Sequence, residues 1–523
     1  MELKTLHEIE QATGFSQSEM TRLGICIIFV VLTMIFSDAV SGHAENNIML
    51  VGAAMIGAYM AMNIGANDVA NNVGPAVGAK ALTLTGAILI AAIFEAAGAL
   101  IAGGDVVGTI RKGIISPTVF EDTQTFIWMM MAALLAGALW LNLATANNMP
   151  VSTTHSIVGG VLGAGVAAGG WDIVNWERVS AIGASWVISP LMGGIIAAAF
   201  LYLVKRSITY QEDRVASARA VVPILISLMA WAFSSYLILK GLNKIVDVGF
   251  VAAVIIGLGI AIATYLLVKP MVARSTRNLV NDKASLNTLF TVPLIFAAAL
   301  LSFAHGANDV ANAVGPLAAI HDAIMSNGVS DQTAIPIWIM VVGAVGIAIG
   351  LALYGPKLIR TVGSEITELD QMRAYCIAMA AAITVIVASQ LGMPVSSTHT
   401  AIGAVFGIGL LREAIKVSYA EIIAEIRLHH KDRDDAEVEA YLDLFENASF
   451  VAKGVMLQEL KKSSKSDVVL SKKDRKELRR KYGTELVKRS MALKIVSAWV
   501  ITLPMSGIMG ALSFFMLRGM FLP

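Results

Sequence analysis

Two aspartates stand out because each interrupts an apolar stretch of the chain within the same seven-residue motif. The sequence Gly-Ala-Asn-Asp-Val-Ala-Asn occupies residues 65–71, where it contains Asp68, and residues 306–312, where it contains Asp309. A carboxylate in or beside hydrocarbon is costly, so such groups normally face a cavity or a partner. Two identical copies predict one shared polar site built from both halves of the chain, and a transporter is the default interpretation.

A second duplicated motif, rich in hydroxyl groups, follows each aspartate. Pro-Val-Ser-Thr-Thr-His occupies residues 150–155, and Pro-Val-Ser-Ser-Thr-His occupies residues 394–399. Both copies have the composition of helix starts, where capping hydroxyls and free N–H groups cluster at the positive end of the helix dipole. Any single hydroxyl here could instead bond its own backbone or a neighbouring helix. The repetition favours a functional set that binds an oxyanion.

Three other polar residues lie in apolar segments and admit two interpretations each. His155 and His399 come after the hydroxyl groups, so a hydrogen bond between helices is favoured over contact with a ligand. Glu95 has no evident counterpart in the other half, and a cation ligand and a structural hydrogen-bonding group are equally plausible for it.

The four motifs contain no lysine or arginine, so an oxyanion bound there must be neutralised by helix ends, hydroxyls and another group. An ionised carboxylate repels an anion, and Asp68 and Asp309 can share its site only through bridging cations or through protons on the ligand. Phosphate carries such a proton near pH 7, whereas sulfate does not. The pattern therefore indicates cation-coupled phosphate uptake. Plausible neutral oxygen ligands for a hard monovalent cation are Asn67, Asn71, Asn308 and Asn312.

The composition is that of a polytopic membrane protein. Hydrophobic residues make up 56% of the chain and charged residues 15%, the mean hydropathy is +0.70, and the net charge of +1 argues against a nucleic-acid surface. Cys26 and Cys376 are the only cysteines, which predicts neither a disulfide framework nor a cysteine metal site. No cleavable signal peptide is expected, and no cofactor is predicted apart from the coupling ion.

The predicted fold is an all-α membrane protein made of two inverted-topology repeats, with broken or re-entrant helices at a site in the membrane midplane. Gly and Pro residues within and after both aspartate motifs predict the breaks. Basic connections near 205–219 and 269–283 place the N-terminus inside and the C-terminus outside. Thirteen segments have roughly spanning length: 23–41, 49–66, 84–104, 126–146, 150–170, 178–204, 221–239, 246–268, 288–307, 335–355, 374–391, 395–412 and 491–517.

The spacing of the motifs divides the chain into five parts. The second copies follow the first by 241 and 244 positions, and a later Trp-Val-Ile echo follows by 313, which indicates a late insertion in the second half. The predicted parts are an N-terminal tail with an extra span (1–48), a first repeat (49–204), linking helices (205–287), a second repeat (288–412 with 491–523) and a charged cytoplasmic helical insert (413–490). The insert is either a solvated hairpin near anionic lipid or a regulatory docking site.

At these motifs the chain resembles the inorganic phosphate transporter (PiT) family, whose signature is the duplicated GANDVAN motif paired with Pro-(Val/Ile)-Ser-(Ser/Thr)-Thr-His. The resemblance covers essentially the whole chain except the N-terminal span and the insert. It implies secondary active symport of inorganic phosphate with sodium, no enzymatic activity, a homodimer in contact with membrane lipid, and a location in the bacterial inner membrane. Because both GANDVAN copies are intact, sodium is favoured over protons.

The same resemblance implies roles for individual residues. It implies that the phosphate site contains Asp68, Asp309, Ser152, Thr153, Thr154, Ser396, Ser397 and Thr398. It implies that the sodium site contains Asn67, Asn71, Asn308, Asn312, Gln390 and the two aspartates. A proton-coupled phosphate permease or a sulfate permease of the same family stays open as an alternative.

A rival from another class is an intramembrane aspartyl protease, which also needs two aspartates within the membrane. A protease gives no reason to duplicate the asparagines and the hydroxyl-rich helix starts. Serine and threonine hydroxyls converging on both aspartates would favour transport, and an isolated pair of aspartates would favour proteolysis.

Overall fold

The computed structural model describes residues 2–41, 47–120, 122–242, 246–325, 335–365, 369–412 and 489–521. Regular structure in these ranges is helical. Residues 413–488 of the predicted insert lie outside the described residues, so the five-part division stays a prediction.

The long apolar runs of the sequence form the helices, because a helix satisfies every backbone hydrogen bond within one segment. In chain order these are α1 (Glu2–Ser41), α2 (Asn47–Gly78), α3 (Leu84–Ala102), α4 (Gly104–Gly108), α5 (Thr123–Ala146), α6 (Thr153–Gly169), α7 (Trp176–Val204), α8 (Arg214–Lys240), α9 (Phe250–Ser275), α10 (Lys283–Thr288), α11 (Thr291–Asp309), α12 (Ala311–Met325), α13 (Ile337–Glu365), α14 (Gln371–Gln390), α15 (397–412) and α16 (Arg489–Phe521). A π-helical turn, Thr109–Gly113, continues α4.

Within the described ranges, eleven helices are long and apolar enough to cross a membrane, rather than the thirteen segments predicted. The two segments that fall short are 150–170 and 395–412, which form α6 and α15. The 17 residues of α6 reach only about 25 Å, below the roughly 30 Å of a bilayer core. The protein is therefore an integral membrane protein in which the first hydroxyl motif begins a short helix and the second begins a helix that is described as far as residue 412.

Helices of the two halves pack against each other in matching pairs. The first aspartate helix, α2, packs on α13, and the second, α11, packs on α3. Glycines bring the backbones together at both crossings, because Gly350 lies against the backbone of Met62 and Gly98 against the backbone of Phe303. Phe303 follows Met62 by 241 positions, the same spacing as the two motifs. The duplication is thus visible in the packing, while the inverted orientation of the halves stays a prediction.

The hydroxyl helices make a second set of matching pairs. α6 packs against α16, and α15 meets α7 where Gly403 lies against the backbone of Pro190. These close approaches use small residues, as is usual for helices packed within a membrane. Each hydroxyl helix is therefore held by a long helix from the other half of the chain.

Neither aspartate motif interrupts the helical backbone among the described residues. The first motif lies inside the continuous helix α2. At the second motif Val310 separates α11 from α12, but it keeps α-helical dihedral angles, its N–H donates to the Gly306 carbonyl over 3.3 Å, and its carbonyl accepts from the Val314 N–H over 2.9 Å. Pro75 lies in the last turn of α2, where its missing N–H removes one hydrogen bond without ending the helix. Pro316 likewise lies inside α12.

Candidate functional site

Asp68 is the carboxylate on which hydroxyl groups from both halves converge. Its side chain is fully buried. Thr153 Oγ1 at the start of α6 donates a hydrogen bond to Asp68 Oδ2 over 2.9 Å, and Thr398 Oγ1 in α15 donates to Asp68 Oδ1 over 3.0 Å. Such charge-assisted bonds are stronger than those between neutral groups. They tie the first aspartate motif to both hydroxyl motifs.

Asp309 occupies the equivalent place in the second half but has fewer partners. Ser397 Oγ donates to Asp309 Oδ2 over 2.8 Å, while Asp309 Oδ1 accepts no hydrogen bond from the described residues. One oxygen of Asp309 and one of Asp68 lie within 4.8 Å of each other. The two carboxylates therefore belong to one site.

Two asparagines of the motifs extend this site through their amide groups. Asn71 Nδ2 donates to Thr398 Oγ1 over 2.9 Å, and Asn312 Nδ2 donates to Thr153 Oγ1 over 3.2 Å and to Thr154 Oγ1 over 3.3 Å. The amide oxygens of Asn71 and Asn312 are buried and accept no hydrogen bond from any described group. Buried polar atoms are normally paired, so two unpaired neutral oxygens fit a cation ligand set.

The other two motif asparagines hold the loops that precede the hydroxyl helices. Asn67 Nδ2 donates to Thr145 Oγ1 and to the Met149 carbonyl, and Asn67 Oδ1 accepts the Val151 N–H. Asn308 makes the same three contacts with Ser389, Met393 and Val395. Each amide is therefore bonded to the segment before a hydroxyl helix, and each amide oxygen keeps a second lone pair; the sodium-site role of both residues stays a prediction.

Capping orients both hydroxyl helices toward the site, as the sequence predicts. Ser152 Oγ accepts the His155 N–H over 3.1 Å, and Ser396 Oγ accepts the His399 N–H over the same distance. The positive ends of these two helices lie together, because Thr154 Oγ1 donates to the Val395 carbonyl. Two helix N-termini beside buried hydroxyls supply the partial positive charge that an oxyanion needs.

His305 is a site residue that the sequence analysis missed. Its Nε2 lies 2.9 Å from Asp309 Oδ2 and 3.6 Å from Asp68 Oδ2, and its Nδ1 lies 3.3 Å from Glu95 Oε2. None of the three contacts meets hydrogen-bond geometry, so the imidazole lies beside three carboxylates without a hydrogen bond to any of them. Asn72 Nδ2 donates to Glu95 Oε1 over 2.7 Å, which gives Glu95 two partners. A histidine directly before the second motif was the available signal.

The interhelical hydrogen bonds expected of His155 and His399 and the sodium-site role of Gln390 stay predictions. The two imidazole rings pack against each other at 4.4 Å between centroids, and each also packs on a tryptophan, Trp186 or Trp499. Neither nitrogen of His155 meets hydrogen-bond geometry with a described group. Gln390 Nε2 also lacks a partner in the described ranges, and the neighbouring Ser389 contacts the motif instead.

The arrangement has the features that distinguish transport from proteolysis. Hydroxyl donors converge on both aspartates, and amide groups surround those hydroxyls. A bound anion would find neutral donors and helix ends, and a cation would find carboxylate and amide oxygens. Asp68 and Asp309 therefore do not form the isolated pair of aspartates that a protease needs.

Comparison with known proteins gives one consistent result. The sequence model of the phosphate transporter family matches residues 64–510. A protein of Helicobacter pylori strain J99 named "Putative phosphate permease" is 51% identical, and the match covers 98% of both chains. A Pyrococcus abyssi protein of the same description is 39% identical, and the match covers 71% of this chain and 91% of that protein. A solved structure described as "The sodium-dependent phosphate transporter" is 29% identical, with a TM-score of 0.74, and covers 91% of this chain and all of its own. The chain therefore belongs to the phosphate transporter family.

Proposed function

We propose that this protein imports inorganic phosphate by symport with sodium. The observation that carries the proposal is the convergence of Thr153, Thr398 and Ser397 on two buried carboxylates that share one site. The structural neighbour is named as a sodium-dependent transporter, which supports sodium as the coupling ion here. Proton coupling and sulfate transport are the alternatives within the family.

The hydroxyls are the proposed phosphate donors. Thr153, Thr154, Ser397 and Thr398 are buried at the meeting point of two helix N-termini, while Ser152 and Ser396 act by capping those helices. A phosphate oxygen that carries a proton can face a carboxylate, because it donates where a bare oxyanion would be repelled. This requirement favours phosphate over sulfate.

The proposed sodium ligands are three motif oxygens that accept no hydrogen bond from the described residues. They are Asn71 Oδ1, Asn312 Oδ1 and Asp309 Oδ1, with Asp68 supplying further negative charge. Asn67 and Asn308 act mainly indirectly, because their amides already hold the segments before α6 and α15. Gln390 has the least support as a ligand, since its Nε2 has no hydrogen-bond partner among the described residues.

We also propose that the protein is a homodimer in the bacterial inner membrane, with the N-terminus inside and the C-terminus outside. The matching packing of α2 on α13 and of α11 on α3 supports two repeats around a central site. Cysteine crosslinking and accessibility labelling in intact cells test the dimer and the orientation.

Uptake of labelled phosphate into proteoliposomes tests the transport proposal directly. An inward sodium gradient and an inward proton gradient are imposed separately, and sulfate is added as a competitor. Sodium-driven uptake with weak sulfate competition is the expected result, and liposomes carrying the Asp309→Asn variant are the control. Uptake driven only by protons would move the coupling to H⁺, and strong sulfate competition would reassign the anion.

A further inference from the structure

Four aromatic rings form a row beside the two hydroxyl motifs. His155 and His399 are the last residues of the motifs, and their rings contact each other edge to face, with 4.4 Å between centroids. The Trp186 ring of α7 lies 3.9 Å from the His155 ring, and the Trp499 ring of α16 lies 3.7 Å from the His399 ring. The row therefore runs from one tryptophan through both histidines to the other tryptophan. We call these four residues the ring stack.

The ring stack follows the duplication of the chain. His399 follows His155 by 244 positions, the spacing of the hydroxyl motifs, and Trp499 follows Trp186 by 313, the spacing of the Trp-Val-Ile echo. Each half therefore contributes one histidine and one tryptophan. The two halves meet at the contact between the imidazole rings, so the ring stack belongs equally to both hydroxyl motifs.

Glycine contacts join the same four helices in different pairs. α6 is held to α16 where Gly163 lies against the backbone of Gly507, and α15 is held to α7 where Gly407 lies against the backbone of Gly194. The histidine–tryptophan contacts instead join α6 to α7 and α15 to α16. Each hydroxyl helix thus forms one close pair with a long helix, and the ring stack connects the two pairs at the ends that carry the hydroxyl motifs.

The imidazole rings make these contacts through ring packing. Among the described residues, neither nitrogen of His155 meets hydrogen-bond geometry, and the same is true of His399 Nε2. Aromatic rings attract each other in offset and edge-to-face arrangements without a hydrogen bond. One end of the stack adds such a bond, because Trp186 Nε1 donates over 3.3 Å to the carbonyl of Pro394, the first residue of the second hydroxyl motif. Trp186 therefore contacts both motifs, one through its ring and one through its N–H.

The ring stack lies next to proposed phosphate donors from both halves. Each histidine directly follows a threonine, Thr154 or Thr398. Thr154 Oγ1 donates to the Val395 carbonyl over 3.1 Å, and Thr398 Oγ1 lies 3.4 Å from the Val151 carbonyl oxygen. The two motifs thus meet beside the imidazole rings. A change in the distance between the rings would move the hydroxyls of one half relative to those of the other.

We propose that the ring stack is a positioning element of the phosphate site, because packing of its four rings fixes the distance between the hydroxyl helices. The inference rests on the proposed phosphate site. A phosphate held by hydroxyls of both halves needs hydrogen-bond distances on both sides at once. Where groups must be aligned on one ligand, a displacement of about 1 Å can cost on the order of 100-fold in activity. Loss of the rings should therefore weaken phosphate binding, although no ring atom needs to contact the phosphate.

The test compares two double variants of the full-length protein by equilibrium binding of labelled phosphate in detergent with sodium present. His155→Phe/His399→Phe keeps two aromatic rings and removes the nitrogens, whereas His155→Asn/His399→Asn keeps polar groups and removes the rings. We expect the phenylalanine variant to bind within about threefold of the wild type. The asparagine variant should bind at least about tenfold more weakly, which corresponds to the loss of one hydrogen bond to a charged phosphate.

Phe126→Ala is the control for the general effect of losing a buried ring. Phe126 packs on Phe120 near the start of α5, whereas the first hydroxyl motif follows the end of that helix, about 30 Å away at 1.5 Å per residue. This variant should lower the unfolding temperature and leave phosphate affinity unchanged. Equal losses of affinity in the two double variants, or a loss in the phenylalanine variant alone, would overturn the inference, because the nitrogens would then be required. Wild-type affinity in a folded asparagine variant would overturn it too, since the rings would then contribute stability alone.

If a double variant does not fold, Trp499 gives the same comparison at the half-buried end of the stack. Trp499→Phe keeps a ring beside His399, and Trp499→Leu keeps an apolar side chain without a ring. The leucine variant should bind phosphate roughly tenfold more weakly than the phenylalanine variant, and equal affinities in the two would overturn the inference. A wild-type protein that binds no phosphate would instead refute the proposed function, which does not depend on the ring stack.

Discussion

Replacing Thr398 with valine tests the hydroxyl site most sharply, because this side chain joins both halves of the chain. Thr398 Oγ1 donates to Asp68 Oδ1 over 3.0 Å and accepts from Asn71 Nδ2 over 2.9 Å. Valine keeps the shape and removes both bonds, which leaves a buried carboxylate oxygen and a buried amide without partners. Hydrogen bonds to charged groups contribute about 1.5 to 3 kcal/mol. In the proposed site this hydroxyl donates instead to a charged phosphate oxygen, so its loss should lower the apparent affinity for phosphate by roughly 10- to 150-fold.

Thr400→Val is the matched control, because Thr400 lies in the same helix and is just as buried. Among the described residues its hydroxyl donates only to the carbonyl of Ser396, the residue that caps the helix, over 2.9 Å, and makes no hydrogen bond to an aspartate. Phosphate binding to purified protein gives the affinity, and thermal unfolding in detergent reports the fold. Wild-type affinity in Thr398→Val, or an equal loss in both variants, would refute the assignment of Thr398 to the site.

Three further predictions concern charge, packing and coupling. Asp68→Asn and Asp309→Asn should each nearly abolish uptake in folded protein, because a neutral side chain no longer compensates the coupling cations; robust sodium-driven uptake by either variant would contradict this. Gly98→Ala should lower the unfolding temperature in detergent, because its Cβ would meet the backbone of Phe303. Gly183→Ala, whose Cβ meets no described atom within 4 Å, should leave that temperature unchanged or raise it, since alanine stabilises a helix by roughly 0.5 to 1 kcal/mol relative to glycine. Replacing sodium with choline should weaken phosphate binding, and by linkage phosphate should raise sodium affinity by the same factor; unchanged phosphate binding in choline would contradict sodium coupling.

The sequence was most informative where it repeats itself. Duplication alone predicted that Asp68 and Asp309 share a site and that both hydroxyl motifs cap helices, and the contacts of Thr153, Ser397 and Thr398 agree. Hydropathy along the sequence predicted the spanning helices. It could not separate them from α6 and α15, the helices that begin at the hydroxyl motifs, since the apolar composition of both kinds of helix is the same. A continuous α2 was also missed, because a proline near a helix end removes too little hydrogen bonding to break it.

The duplication could not identify site residues that occur in one half alone, and His305 is the clearest case. A lone histidine beside a repeated motif has no second copy to mark it, and its meaning depends on Glu95, which lies more than 200 positions earlier. Their contact follows from the glycine crossing that sets α3 against α11, where Gly306 lies against the backbone of Glu95. The matching crossing of α13 on α2, where Gly65 lies against the backbone of Ile347, is an internal control, because Ile64 and Ile347 take the places of His305 and Glu95 there. A duplicated fold can thus separate what packing requires from what one half has kept for the site, and here the difference is a buried histidine and a buried glutamate where the other half has two isoleucines.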